Sequence, residues 1–131
     1  MTGPLAFLLV AVGGGVGAAA RFVVADAIRA RRTTALPWGT VTVNAVGSLV
    51  IGVVAGLVLT VGADGGGLES WRLLLATGLC GGFTTFSTAT VEAVTQLRGG
   101  RPGRALATTA ANLLLSLAAV ALGLGIVLLL A

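Results

Sequence analysis

Histidine, tyrosine and lysine are absent from this chain, and cysteine occurs once, at Cys80. A transition-metal centre built on His or Cys is therefore excluded, because such sites need several of these ligands. A lone Cys80 cannot close an intrachain disulfide and is expected to act as a small buried hydrophobe. Charge is scarce as well: 9% of the 131 residues are charged, where a soluble domain carries about a quarter. No stripe of interleaved basic and aromatic residues points to nucleic acid, and no hydrolytic or redox constellation points to an enzyme. What fills the chain is apolar: 56% of it is hydrophobic. Its length allows one domain with no separate soluble module. The composition is that of an integral membrane protein.

Charge-free runs cover 1–20, 33–63, 73–91 and 105–131. A spanning helix needs about 20 apolar residues, so the runs predict four transmembrane helices, at roughly 5–30, 38–61, 71–97 and 104–130. No positive segment precedes the first run, which is read as a retained span and not as a cleaved signal. The linkers fit this division: Arg31-Arg32-Thr33-Thr34 ahead of Pro37, a glycine-rich turn at 62–67, and a basic loop at 98–103. Four spans put both termini and the 62–67 turn on one side. The other side holds Arg29, Arg31, Arg32, Arg98, Arg101 and Arg104, against Arg72 alone on the terminal side. The positive-inside rule predicts that loops 31–37 and 98–103 are cytoplasmic and both termini outside. The bias argues for one fixed orientation.

The third span carries an anomaly. Cys80-Gly81-Gly82-Phe83-Thr84-Thr85-Phe86-Ser87-Thr88 places two glycines and four hydroxyls in the middle of a membrane-length run. Glycine weakens a helix, and non-helical backbone at membrane depth survives only when buried in protein or lining a wet cavity. A broken third helix is therefore expected, with freed carbonyls and amides able to bind an ion.

Other spans carry stripes of small and polar residues at a spacing of four: Gly13, Gly17 and Arg21; Thr40, Asn44, Ser48, Gly52 and Gly56; Thr108, Asn112 and Ser116. Residues four apart share a helix face. The glycines fit close helix packing. The Thr, Asn and Ser positions fit either interhelical hydrogen bonds or the lining of an ion path, since asparagine at membrane depth needs partners. Arg21 and Glu92 are the deepest charges. Each reads as a structural charge at a helix end, or as part of an aqueous vestibule.

The break offers two chemistries. Its carbonyl oxygens are hard ligands suited to an alkali or alkaline-earth cation, and a symmetric or pseudo-symmetric dimer would double their number. Its hydroxyls and the positive ring edge of Phe86 suit a small anion. The residues alone thus lead to a dimeric, ion-conducting membrane protein with a midplane break.

The segments Gly39-Thr40-Val41-Thr42-Val43-Asn44-Ala45-Val46-Gly47-Ser48 and Gly78-Leu79-Cys80-Gly81-Gly82-Phe83-Thr84-Thr85-Phe86-Ser87-Thr88 resemble the signatures of the Fluc/CrcB fluoride channel family. The run from Gly13 to Arg21 resembles that family's first-helix segment. The resemblance implies an antiparallel dimer of four-helix subunits that exports fluoride passively from the cytoplasm and relieves its toxicity. It implies two pores lined by both subunits and a central structural Na⁺ held by main-chain carbonyls, here those of Gly81 and Thr84. It implies Asn44 as the pore asparagine and Phe86 as the first pore phenylalanine. Ser87, Thr88, Thr108, Asn112 and Ser116 correspond to the family's polar track; Arg21, read from its own position as a deep charge, is expected to be structural.

The match departs at one place. The family's motif ends in a second phenylalanine, and this chain has Ala89 there. Together with the arginine bias, that gap leads to the expectation of a heterodimer whose oppositely oriented partner supplies the missing ring or the working pore, with a homodimer as the other arrangement. Two further classes stand beside the fluoride channel. A small proton-coupled multidrug exporter needs an embedded carboxylate, and the first span has none before Asp26. A non-conducting assembly subunit would use its glycine stripes for packing alone.

Overall fold

The computed structural model describes residues 3–32, 34–62 and 68–131. The expected glycine-rich turn lies, from residue 63 to 67, outside the described residues, as does Thr33. Helix α1 covers Pro4–Arg31 and α2 covers Trp38–Val61. The third span starts as α3 (Leu68–Trp71), widens into a π-helix over Arg72–Cys80, and closes with α4 (Gly81–Phe83). It resumes as α5 (Phe86–Arg98), and α6 (Pro102–Leu130) completes the chain. Four stretches are long and apolar enough to cross a membrane: Pro4–Arg31, Trp38–Val61, Glu69–Arg98 and Pro102–Leu130. The described chain has no strand. It is an all-α, multi-pass membrane protein with a broken third helix.

The boundaries follow local chemistry. Pro4 and Pro102 open their helices, where the missing N–H costs nothing and φ is already set. The α5–α6 turn closes on Gly100, whose φ of 69° lies in the left-handed region open to glycine. Large apolar side chains such as Phe7, Phe22, Leu106 and Leu129 stay exposed on the outer faces, as expected of a surface whose solvent is lipid.

Two helix crossings hold the bundle, and glycine makes both. Helix α2 packs most extensively on α6, and α1 on the π-helical segment. At the first crossing Gly52 lies against the Val120 carbonyl and Gly123 against that of Leu49. At the second, Gly13 meets Leu74, Gly17 meets Leu79, and Gly82 meets the Gly14 carbonyl. Any Cβ at these positions would collide with backbone. Small residues there let the helices approach closely enough for dispersion to operate, the main attraction left between helices in lipid. A small core of Ala25, Val43 and Phe83 sits beside the break, with Ala20 and Val24 packed against it.

Candidate functional site

The interruption falls later than the glycines. Gly81 and Gly82 remain helical, and the chain turns extended at Thr84 (φ −80°, ψ 159°) and Thr85 (φ −148°, ψ 115°). Threonine is β-branched and suits extended backbone. The glycines serve contact instead: Gly82 abuts α1, while Gly81 is exposed and open.

The two aromatic rings flanking the break point in opposite senses. Phe83 is buried in the core and Phe86 is 87% exposed. Between them, each freed backbone group has a definite fate. Thr84 closes the preceding helix, with its N–H (2.9 Å) and its hydroxyl (2.8 Å) both donating to the Cys80 carbonyl. The Thr85 N–H donates to Asn44 Oδ1 at 2.7 Å, and Asn44 Nδ2 donates to the Thr85 carbonyl at 3.1 Å. Asn44 thus pairs with Thr85 as a neighbouring strand would. The Thr85 hydroxyl caps α5 by accepting the Thr88 N–H at 3.1 Å, and it donates to Thr88 Oγ1 at 2.9 Å. Ser87 Oγ lies 3.3 Å from the same hydroxyl.

These diversions leave two carbonyls without their helical donors. In an unbroken helix the Thr85 N–H would serve the Gly81 carbonyl and the Thr88 N–H that of Thr84. Asn44 and the Thr85 hydroxyl have taken those donors. Two hard oxygens, one beside an exposed glycine, are a donor set that fits a small hard cation.

The polar stripes of α2 and α6 meet in the same place. Asn44 Nδ2 donates to Asn112 Oδ1 at 2.8 Å, and Asn112 Nδ2 donates to the Thr108 carbonyl at 3.1 Å. A groove of about 570 Å³ opens beside this pair, walled by Asn44, Ser48, Phe86, Ala89, Asn112 and Ser116, with apolar flanks such as Ile51 and Leu113. Neutral donors, a ring and an alanine gap therefore share one surface. Thr88 lines a different cavity of about 270 Å³, with Arg21, Asp26, Arg29, Thr40 and Thr85. Thr108 is fully buried, and Ser87 is exposed at the start of α5.

Two contacts were not anticipated from the sequence. The Thr108 hydroxyl donates to Gln96 Oε1 at 3.0 Å, tying α6 to α5. The Thr40 hydroxyl donates to Glu92 Oε1 at 2.8 Å, tying α2 to α5. Thr40, Glu92 and Gln96 also line a cavity of about 270 Å³ at the arginine-rich end, with Arg29 and Arg32. The i,i+4 spacing of Glu92 and Gln96 on α5 is the one trace that would have found them. Arg21 Nε and Glu92 Oε2 are buried without a hydrogen-bond partner among the described residues. A salt bridge joins Arg29 to Asp26 at 2.7 Å.

An apolar helix interrupted at midspan, with the backbone of Thr85 met by the Asn44 amide from α2, defines a multi-pass α-helical membrane protein. Residues 8–124 match the family described as CrcB-like protein, Camphor Resistance (CrcB). The chain belongs to that family. It is 43% identical over 122 residues to the fluoride-specific ion channel FluC 1 of Leifsonia xyli subsp. xyli, covering 92% of this chain and 85% of that protein. It is 43% identical over 118 residues to the fluoride-specific ion channel FluC of Hyphomonas neptunium, covering 90% and 91%. The fluoride-specific ion channel FluC of Thermus thermophilus is 39% identical over 111 residues, covering 85% and 86%.

Proposed function

We propose that this chain is a subunit of a fluoride channel that lets fluoride leave the cytoplasm passively. The observation that carries the reading is the groove at the break. There Asn44, Phe86, Asn112 and Ser116 come together with no cationic side chain among them, in a chain whose relatives are named fluoride-specific channels. Neutral donors and a ring edge suit an anion that must leave as readily as it enters. Ser87 is an exposed hydroxyl at the start of α5, Thr88 lines the separate cavity with Arg21 and Arg29, and Thr108 is buried against Gln96, so none of the three walls this groove. The relatives are named as channels, not enzymes.

The carbonyls of Gly81 and Thr84, stripped of their helical donors, would hold a structural Na⁺. Bound there, a sodium ion supplies a charge that ties the breaks of two facing subunits together. The second subunit lies in the opposite orientation. Ala89 beside Phe86 leaves the groove one ring short of the family motif, and the arginine bias fits a chain of fixed orientation. Both favour a heterodimer.

Liposome reconstitution tests this. Vesicles loaded with fluoride and carrying this chain with an oppositely oriented homologue are expected to release fluoride and retain chloride. Release by this chain alone at the same rate overturns the heterodimer but keeps the channel. Drug-dependent proton flux, or no fluoride release with any homologue, overturns the channel.

A further inference from the structure

The turn between α5 and α6 gathers positive charge that the protein does not answer. Arg98, Arg101 and Arg104 recur at every third position, and all are exposed. The acids nearest this end of the bundle are Asp26 and Glu92. Asp26 is bridged to Arg29 at 2.7 Å. Glu92 accepts the Thr40 hydroxyl on one oxygen and buries the other. Neither carboxylate is left for the turn. Each cation there is a guanidinium, since the chain has no lysine, and its planar fork of donors matches the oxygens of a phosphate.

The turn is held in one shape. Gly100 is left-handed (φ 69°), its N–H donates to the Leu97 carbonyl at 3.0 Å, and the Arg101 N–H donates to the Gln96 carbonyl at 2.9 Å. That is a Schellman closure of α5. The Arg101 carbonyl then accepts the Arg104 and Ala105 N–H groups at 3.1 and 3.2 Å, which fixes the start of α6. A Cβ on Gly100 or Gly103 would meet nothing within 4 Å, so the turn is open to approach. The adjoining spans end at Arg98 and begin at Pro102. With only Gly99, Gly100 and Arg101 between them, the arginines stay at headgroup level. Beside them Leu97 and Leu106 are exposed, at 53% and 72%.

We propose that the α5–α6 turn is a binding surface for anionic phospholipid, with Arg98, Arg101 and Arg104 on the headgroup phosphate and Leu97 and Leu106 against the upper acyl chains. Charge and apolar surface together choose this partner. A free phosphate would use the arginines and leave the leucines in contact with nothing. A zwitterionic headgroup carries its own cation beside the phosphate, whereas an anionic one keeps its net charge for the arginines.

Lipid retention tests this. The full chain is reconstituted into bilayers holding equal phosphatidylglycerol and phosphatidylcholine in both leaflets, so that its direction of insertion does not matter. It is then extracted in mild detergent, and the lipid that stays bound is counted by mass spectrometry. Phosphatidylglycerol is expected to exceed phosphatidylcholine about fivefold or more, the preference that one arginine at an anionic surface confers. Arg98→Gln, Arg101→Gln and Arg104→Gln made together are expected to bring the ratio close to one. Arg72→Gln, at the opposite end, is expected to leave it as in the parent. Leu106→Ser keeps the three arginines and is expected to lower the amount of phosphatidylglycerol retained. If the triple variant fails to fold, Arg101→Gln and Arg104→Gln made singly are each expected to lower the ratio in part. A parent ratio of one overturns the proposal, as does a triple variant that matches the parent or an Arg72→Gln that falls as far as the triple. Unchanged retention in Leu106→Ser overturns the role given to the acyl chains. Inorganic phosphate that displaces phosphatidylglycerol better than chloride does at the same ionic strength assigns the turn to free phosphate instead.

Discussion

Single hydroxyls decide the geometry at the break, and their contributions differ in kind. Thr85 acts as a helix cap: its oxygen accepts the Thr88 N–H at 3.1 Å. Thr85→Val keeps the β-branched shape and the extended backbone but removes the acceptor. The expected loss is about 0.5–2 kcal/mol, read as a lowered melting temperature of the detergent-solubilised protein. An unchanged transition would mean that the cap contributes nothing there. Thr108 poses a different case, because it is fully buried and gives its hydroxyl to Gln96. Gln96→Leu leaves a buried donor without that acceptor, at a cost of about 1–3 kcal/mol. Adding Thr108→Val removes the donor as well, so the double variant is expected to recover most of that loss. Thermal unfolding of the four proteins forms a cycle whose coupling energy measures the bond. Simple additivity would show that the Gln96–Thr108 contact does not stabilise the protein.

At the scale of helices, the glycines of the broken span separate into two kinds. A Cβ on Gly82 would strike the Gly14 carbonyl of α1, whereas one on Gly81 meets nothing within 4 Å. Gly82→Ala is expected to push α1 away from the third span and to lower the melting temperature sharply. Gly81→Ala is expected to leave the subunit's own packing intact. Equal destabilisation by both would refute the account of the crossing. The spacing of small residues made these crossings readable in advance, because residues four apart share a face whatever the neighbour is. The same rule brought Asn44 and Asn112 into view, each from its own stripe. It did not tell which helix each stripe would face. It also missed the displacement of the break from the glycines to Thr84 and Thr85, since that depends on an amide from α2 pairing with Thr85 across 41 positions of sequence. The π-helix over Arg72–Cys80 left no sequence signal either. Gln96 stayed hidden because its partner is a threonine on another helix. Local pattern reports faces; it does not report partners.

For the molecule as a whole, charge sets direction. Arg31 and Arg32 at the end of α1, and Arg98, Arg101 and Arg104 around the α5–α6 turn, are all exposed. Arg29 stands nearby but is paired with Asp26. At the other end of the described bundle, Arg72 is the only arginine. Insertion resists moving arginine across the bilayer, at roughly 2.5–3.5 kcal/mol for each residue placed at its centre. A bias of this size predicts one orientation, with the arginine-rich end in the cytoplasm. A protease site appended after Ala131 should then be cut from outside spheroplasts and protected in inverted membrane vesicles. Replacing Arg31, Arg32, Arg98 and Arg101 together with Gln removes most of the asymmetry, and both preparations should then show partial cleavage. The consequence for assembly follows directly. A chain held in one orientation cannot furnish its own inverted partner, so antiparallel pairing requires a second, oppositely inserted chain. The glutamine variant, inserting both ways, would gain the ability to pair with itself. Fluoride release from vesicles carrying that variant alone, where the parent alone gives none, would tie the arginines to the choice of partner. Equal cleavage of the parent from both sides would remove charge as the reason for a heterodimer.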